Sequence, residues 1–202
     1  MRIVNLQVEK DIEQGKPIKL DLGSGRSARR GFYSVDHLEL DGVDIVADLN
    51  ETLDLLPDNC VEYVFSQHAL EHVQHLLPLL REIFRVTKPN GFIEVIVPHF
   101  SNPYYYSDPT HIRFFGLYSM YYFVQSSKQH AIRKVPSFYS DARFDIESVR
   151  IEFYQLSKID KLVVPFLSRL VNRNIHWQDF YERRLSSLFH AWQLRFLMRP
   201  DK

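Results

Sequence analysis

The segment Ile18-Lys-Leu-Asp-Leu-Gly-Ser-Gly25 decides how this chain folds. Its apolar run ends near Asp21, two glycines follow, and a second apolar run at 32–35 ends at Asp36. Glycine adopts positive φ and lets backbone N–H groups come close to a ligand. An acid that closes the second strand can accept hydrogen bonds from a ribose diol. The pattern therefore predicts a nucleoside-shaped cofactor at the carboxyl ends of a parallel sheet.

The composition fits one globular domain and excludes several classes of protein. The chain has 202 residues, of which 45% are hydrophobic and 25% charged, and its formal net charge is zero. We therefore expect a single core and no nucleic-acid partner. The single cysteine, Cys60, excludes an internal disulfide and fits a reducing compartment, so a cytoplasmic location is expected. No segment has the apolar pattern of a signal peptide or of a membrane span.

Apolar runs without strict alternation predict a parallel sheet that is covered on both faces. Beyond 18–22 and 32–35, such runs predict strands at 43–47, 61–65 and 92–97. The segment between the last two has the apolar stripe of a helix over Leu76–Val86, and Lys-Pro-Asn-Gly at 88–91 is expected to end it and turn the chain. The order strand–helix–strand predicts a doubly wound α/β sheet. The linkers at 27–30 and 37–42 are too short for full crossover helices.

The sequence changes character after Pro98. Residues 99–143 are rich in Tyr, His, Pro and Ser and have weak periodicity, which favours a cover over an active site. Later patterns predict strands at 146–153 and 192–197 and helices at 162–172 and 179–188. We expect one domain made of a cofactor-binding core (18–98), an acceptor-site cover (99–143), and C-terminal strands with a helical insertion (144–202).

Five motifs in sequence order carry a family resemblance. They are Asp-Leu-Gly-Ser-Gly at 21–25, Asp36, Ala-Asp-Leu at 47–49, Ser-Gln-His-Ala-Leu-Glu-His at 66–72, and Leu-Arg-Glu-Ile-Phe-Arg-Val-Thr-Lys-Pro-Asn-Gly at 80–91. This series resembles the class I S-adenosylmethionine-dependent methyltransferases, in the small bacterial branch often linked to cell-surface glycan synthesis. The resemblance implies a Rossmann-like α/β fold with a mostly parallel seven-stranded sheet and helices on both faces. It also implies S-adenosylmethionine as the cofactor.

The resemblance assigns cofactor contacts to residues at successive strand ends. These are Gly23 and Gly25 beneath the methionine part, Asp21 toward its ammonium, Asp36 at the ribose hydroxyls, Asp48 and the Leu49 backbone at adenine, and Ser66 and His68 near the sulfonium.

The acceptor is expected to bind against the segment that follows the fifth strand, because ligands bind outside the carboxyl ends of parallel strands. Tyr104, Tyr105 and Tyr106 offer ring faces suited to a saccharide or another polar ring. Arg113 can clamp a phosphate or carboxylate with two hydrogen bonds. The predicted partner is therefore a polar small molecule or saccharide that presents a hydroxyl or amine.

Methyl transfer depends mainly on alignment of the acceptor with the methyl group, which can contribute about 7–11 kcal/mol. A hydroxyl or ammonium acceptor also needs a base, and histidine titrates near neutral pH. The candidates are His111, His68 and His99, and Asp108 is expected to orient His111.

Four alternatives remain open from the sequence. Gly-Ser-Gly-Arg-Ser-Ala at 23–28 also fits a nicotinamide-dependent oxidoreductase, and the fold can serve as a cofactor-binding module without catalysis. Histidine and carboxylate side chains (His68, His72, His99, Asp108 and His111) could converge on a cation, although their spacing matches no dedicated metal motif, so no metal is expected. Basic residues after position 158 form either the wet face of a helical pair or a surface for anionic lipid or a lipid-linked substrate.

Overall fold

The computed structural model describes residues 1–26 and 29–202 and contains a mixed eight-stranded sheet in the order β1-β4-β3-β2-β5-β6-β8-β7. The five strands from β4 to β6 are parallel, whereas β1 pairs antiparallel with β4, and β8 pairs antiparallel with both β6 and β7. The strands are β1 (Arg2–Ile3), β2 (Ile18–Leu22), β3 (Tyr33–Asp36), β4 (Ile45–Val46), β5 (Val61–Gln67), β6 (Thr87–Pro98), β7 (Phe144–Phe153) and β8 (Ala191–Pro200).

All seven expected strands are present, and β1 is an additional edge strand. The sequence did not predict β1 because two residues carry no readable periodicity. Ser27 and Ala28, which belong to the short first linker and to the dinucleotide-like pattern, lie outside the described residues.

Four α-helices lie among the described residues: α1 (Gln7–Glu13), α2 (Leu76–Val86), α3 (Lys158–Val171) and α4 (Ile175–Arg184). The bounds of α2 are as predicted. Helix α3 begins before position 162 because Ser157 and Asp160 form a capping box that fixes its first turn. The predicted helix at 179–188 is shifted toward the N-terminus, because the side chain of Asn174 caps α4 through the N–H of Trp177.

The predicted turn at 88–91 lies inside β6 as a bulge rather than before the strand. Val61 pairs with Thr87, but the next paired residue of β5, Tyr63, faces Phe92. The four residues at 88–91 are therefore unpaired with β5 and form a bulge. Because Thr87 pairs again before this bulge, β6 begins directly after α2.

The core forms where α2 and the central strands bury their apolar side chains. Ile18, Leu20 and Leu22 on β2 are fully buried, as are Leu80 and Ile83 on α2. Burial of each such side chain contributes about 1.5–3 kcal/mol. This packing holds β2 in the centre of the sheet, so that its carboxyl end and the glycine turn have a fixed position.

Segment 99–143 contains two 3₁₀ helices, Pro103–Ser107 and Met120–Phe123. It also has a small apolar cluster that is separate from the main core. Gln129 is buried and crosslinks this cluster, since its Nε2 donates to the carbonyls of Tyr121, Val124 and Val135. The cluster comprises Leu117, Tyr118, Tyr121, Val124 and Val135. The segment is thus packed although it lacks long regular elements.

Candidate active site

A cleft of about 510 Å³ opens where β2, β3, β4 and β5 end. This volume is within the usual range for small-molecule sites, about 300–1,000 Å³. Five of the residues predicted to bind the cofactor line it: Gly23, Asp36, Asp48, Leu49 and His68. These five residues are up to 45 positions apart in the sequence, and they line one cleft as the sequence predicted.

The glycine turn forms the floor of the cleft. Gly23 has a φ of +71°, and a Cβ on it would lie 2.3 Å from the Cβ of Ala69, so only glycine fits there. Gly25 has a φ of +56°, and its N–H donates to Asp36 Oδ2 at 2.9 Å. The conformation of the turn thus depends on glycine and on the acid that closes β3.

The two acids assigned to the nucleoside differ in their surroundings. Asp36 is buried, and its other oxygen, Oδ1, accepts a hydrogen bond from the N–H of Leu38 at 3.0 Å. Asp48 is exposed and accepts from the backbone N–H of Asn50 at 2.8 Å. Asn50 Oδ1 in turn accepts from the N–H of Gln74 at 2.7 Å, which ties the loop after β4 to the segment before α2.

Asp21 and Ser66 are buried beside the cleft rather than among its lining residues. Asp21 Oδ2 accepts from the N–H of Arg29 at 2.8 Å, and burial raises the pKa of this carboxyl. The Ser66 hydroxyl donates to the carbonyl of Leu22 at 3.1 Å and so links β5 to β2. Both residues shape the strand ends, and direct contacts with a cofactor stay predictions.

His68 lies at the side of the cleft in a left-handed conformation, with a φ of 52°. Its Nε2 is 2.9 Å from Gln193 Oε1, and its Nδ1 is 3.3 Å from Glu71 Oε1. Burial opposes the charged imidazolium, but the hydrogen bond and charge of Glu71 outweigh it and raise the pKa of His68. The contact with Glu71 therefore favours the protonated form of His68.

His111 lies on the other side of Glu71. Its Nδ1–H donates to the carbonyl of Tyr105 at 2.9 Å, which leaves Nε2 with a free lone pair. This Nε2 is 3.7 Å from Asp108 Oδ2 and 3.9 Å from Glu71 Oε1. The structure thus brings Asp108 next to His111, and hydrogen bonds from Thr110 hold the pKa of Asp108 below its usual range.

Glu71 is a central residue of the site that the sequence did not assign to it. The side chain is fully buried, and its Oε2 has no hydrogen-bond partner among the described residues. Its carbonyl accepts from the N–H of Ile112 at 3.0 Å and of Arg113 at 3.3 Å, which joins the segment after β6 to the loop after β5. No sequence pattern signals that its carboxyl faces two histidines from different segments.

His99 is fully buried and is not one of the described residues that line the cleft. Its Nδ1 accepts from the N–H of Ser101 at 3.0 Å, and its Nε2–H donates to Glu182 Oε1 at 3.2 Å. This geometry gives His99 a structural task, to fasten β6 to α4, and it leaves neither ring nitrogen open to a substrate.

The predicted acceptor residues have separate environments. Tyr104 and Tyr106 are exposed, whereas Tyr105 is buried and donates from its hydroxyl to the carbonyl of Arg113 at 2.8 Å. The guanidinium of Arg113 donates to the carbonyls of Val73 and Gln74. Arg113 is therefore occupied by the chain itself, and its role as an anion clamp stays a prediction.

A second cavity, of about 1,030 Å³, lies between β7, α3 and the start of β8. Tyr154 and Trp192 line it and stack on each other with ring centroids 5.4 Å apart. Trp192 also stacks on His68 at 6.3 Å, so the aromatic wall of this cavity adjoins the cleft. Arg169 and Glu152 supply charged groups. Sequence reasoning missed these residues because they come from three distant segments.

No helix among the described residues has both the length and the apolar character that a membrane span requires.

Residues 20–95 match the family model of a methyltransferase domain. No curated protein matches the chain in sequence. The matched range includes the glycine turn, Asp36 and Asp48, and every described residue that lines the cleft except Thr110.

Three solved structures share the fold at low sequence identity. A SAM-dependent methyltransferase from Archaeoglobus fulgidus is 18% identical, with a TM-score of 0.51 over 96% of this chain and 90% of that one. The YcgJ protein from Bacillus subtilis is 11% identical, with a TM-score of 0.53 over 96% and 97%. The [4+2]-cyclase SpnF is 13% identical, with a TM-score of 0.51 over 96% and 79%.

These similarities confirm the Rossmann-like class I methyltransferase fold that the sequence predicted, with eight strands in place of seven. The cyclase among them illustrates that a shared fold does not fix the reaction. The match to a methyltransferase-domain model over residues 20–95 implies S-adenosylmethionine as the cofactor. Fold, cleft and family match together support an S-adenosylmethionine-dependent methyltransferase.

Proposed function

We propose that this protein transfers a methyl group from S-adenosylmethionine to a hydroxyl or amine of a polar small molecule, and that the acceptor is a saccharide. The observation that carries the proposal is the cleft in which Gly23, Asp36 and Asp48 meet His68. The acids that we assign to the nucleoside and the imidazole of His68 thus line one space.

The residues of the cleft have distinct tasks in this proposal. When bound, S-adenosylmethionine supplies a methyl carbon on a sulfonium; the acceptor atom bonds to that carbon while the C–S electron pair stays on sulfur. Asp36 accepts from the ribose hydroxyls and Asp48 from the adenine amino group, which fixes the direction of the sulfonium. His111 takes the acceptor's proton on Nε2, because its Nδ1–H is already held by the Tyr105 carbonyl.

A saccharide acceptor is supported by the cavity beside the cleft. Tyr154 and Trp192 form an aromatic wall of this cavity, and Glu152 and Arg169 place charged groups along it. A ring with several hydroxyls matches that combination of faces and polar groups. A link to cell-surface glycan synthesis and a cytoplasmic location are part of the same proposal.

Ligand-dependent stabilisation tests the cofactor and separates the alternatives. S-adenosylmethionine and S-adenosylhomocysteine should each raise the thermal midpoint, because a ligand at 100 times its Kd adds about 2.7 kcal/mol of stability. NAD should have no effect, and stabilisation by NAD alone would establish the oxidoreductase alternative. A non-catalytic module would bind the cofactor but form no labelled product from any saccharide, nucleotide-sugar or lipid-linked acceptor.

His111→Ala tests the base. We expect turnover to fall by about 10²–10⁴-fold, the usual contribution of a general base. Binding of S-adenosylhomocysteine should be retained, because His111 is not among the described residues that line the cleft. Unchanged turnover would remove His111 from the mechanism.

The exposed face of α3 supports contact with an anionic lipid surface that carries the acceptor. Ile159, Leu162 and Phe166 follow one helical stripe and are 73%, 80% and 73% exposed. Lys158 and Lys161 are exposed next to the stripe. The sequence left open that the basic residues form the wet face of a helical pair. The outer side of α3 is instead apolar with basic edges, which is the pattern of helices that lie in a membrane interface.

Vesicle flotation tests this contact. The wild-type protein should float with phosphatidylcholine vesicles that contain phosphatidylserine and not with phosphatidylcholine alone. A Leu162→Ser/Phe166→Ser variant should stay at the bottom, whereas Phe138→Ser, at an exposed phenylalanine outside α3, should float like the wild type. Failure to float, or a wild-type dimer in light scattering that the double variant abolishes, would show that lipid is not the occupant.

A further inference from the structure

The structure assembles a candidate metal site from three residues that the sequence pattern did not group. Glu71, His72 and His111 each offer one ligand atom, and these atoms lie within 4.8 Å of one another. Of the five groups that sequence reasoning considered for a cation, only His72 and His111 belong to this set. His99 lies instead against Glu182.

The buried carboxyl of Glu71 is the first independent indication of a ligand. Oε2 has no hydrogen-bond partner among the described residues, although the residue is fully buried. A buried carboxylate oxygen that nothing satisfies costs free energy, about 1–3 kcal/mol or more for a charged group. A cation at this position would satisfy it.

The hydrogen bonds around the two histidines are the second indication. The Nδ1–H of His111 donates to the Tyr105 carbonyl at 2.9 Å. The Thr110 hydroxyl is 2.6 Å from Asp108 Oδ1 and 2.9 Å from His72 Nδ1. Because an ionised carboxylate only accepts, Thr110 donates to Asp108 and accepts from the Nδ1–H of His72. Both imidazoles are thus oriented from outside through Nδ1, which leaves Nε2 as the nitrogen available to a metal, as outer groups orient metal-binding histidines.

We propose that Glu71, His72 and His111 bind a divalent transition-metal ion, Zn²⁺ or Mn²⁺, beside the cofactor cleft. Two imidazoles and one carboxylate suit these ions and leave coordination positions open. Ligand atoms around tetrahedral zinc stand about 3.4 Å apart, given bond lengths of about 2.0–2.1 Å. Small side-chain rotations therefore close the set around one ion.

The inference rests on the proposed function in one respect, the task of the ion. His72 and Thr110 also line the cleft, so an ion held here adjoins the space for the methyl acceptor. A metal-bound hydroxyl loses its proton more easily. The ion would thus bind a hydroxyl of the acceptor, whose proton would pass to solvent water while the oxygen bonds to the methyl carbon. His111 would then be a metal ligand, in place of the role as base that it has without the ion. The acceptor class is then a saccharide or other polyol that is methylated on oxygen.

Calorimetric titration of the EDTA-treated, desalted full chain with ZnCl₂ and MnCl₂ tests the site directly. We expect one ion per chain. His72→Ala and Glu71→Gln should weaken binding by more than about tenfold, since even second-shell losses cost about that much. His190→Ala, at an exposed histidine elsewhere, should bind like the wild type.

Titration of the same samples with S-adenosylhomocysteine separates a failed metal site from a failed cofactor site. A wild-type circular dichroism spectrum and thermal midpoint in His72→Ala and Glu71→Gln show that the variants are folded, so loss of zinc binding then reports the site. Equal zinc affinity in wild type, His72→Ala and Glu71→Gln, or no binding by the wild type, would overturn the proposal. If only S-adenosylhomocysteine fails to bind, the proposed function is wrong and the metal site stands.

Discussion

The tight contact between Gly23 and Ala69 gives a quantitative prediction about the glycine turn. An alanine at 23 must adopt a φ of +71°, which costs about 1–2 kcal/mol. Its Cβ would also lie 2.3 Å from the Cβ of Ala69, and relief of such overpacking costs about 1–3 kcal/mol more. We therefore expect Gly23→Ala to reduce the free energy of unfolding by about 2–5 kcal/mol.

Gly15 provides a matched control, because its φ is +66° and no described atom lies within 4 Å of a Cβ built on it. In urea denaturation, Gly15→Ala should cost only the conformational part, about 1–2 kcal/mol. Gly25→Ala, which also has open space around its Cβ, should match Gly15→Ala in stability yet weaken binding of S-adenosylhomocysteine. Equal stability losses at 23 and 15 would refute the steric argument, and normal binding by Gly25→Ala would refute the position of the cofactor.

Three further predictions concern acids of the site and the sheet. Asp36→Ala should weaken S-adenosylhomocysteine binding by about 10- to 100-fold in calorimetry, the value of a charged hydrogen bond, about 1.5–3 kcal/mol; unchanged affinity contradicts its ribose role. Glu94→Gln should lower the free energy of unfolding by about 1.5–3 kcal/mol, because this buried carboxyl accepts hydrogen bonds from Tyr63 and two arginines. The control Asp145→Asn, in an exposed ion pair with Lys128, should lower it by at most about 1 kcal/mol. The third is that the stabilisation contributed by Glu94 should decrease at acidic pH. Urea denaturation midpoints measured at several pH values test this.

The sign of that pH dependence follows from the pKa of Glu94. Burial by itself favours the neutral acid, but hydrogen bonds from Tyr63 and Arg195 outweigh it and hold the folded pKa below 4.5. A depressed folded pKa stabilises the protein above the unfolded value, and this contribution is lost as the pH falls through the folded value. The wild type should therefore lose more stability than Glu94→Gln between pH values of about 5 and 3. Parallel curves would contradict this account.

Features coded by neighbouring residues could be predicted from the sequence. The glycine turn and Asp36 stand at the end of apolar runs, so the same pattern predicted the strand ends and the candidate cofactor-binding residues. The bounds of α2 followed from its apolar stripe. In contrast, α1 is seven residues long and buries only Val8, so its sequence gave no periodic signal.

Contacts between distant segments could not be predicted. Glu71 and His111 are 40 positions apart, and their approach depends on how the segment after β6 returns over the cleft. Arg113 was expected to face a ligand, but its guanidinium reaches two backbone carbonyls of the loop before α2. Trp192 joins the cleft to the neighbouring cavity only because β8 inserts between β6 and β7.

A crystal structure of the protein with S-adenosylhomocysteine tests the central claim most directly. We predict the nucleoside in the cleft at the carboxyl ends of β2 to β5, with ribose hydroxyls on Asp36, the adenine amino group at Asp48 and the sulfur directed toward His68. A ligand bound at another place, or ordered crystals in which this cleft stays empty at saturating ligand, would contradict the account.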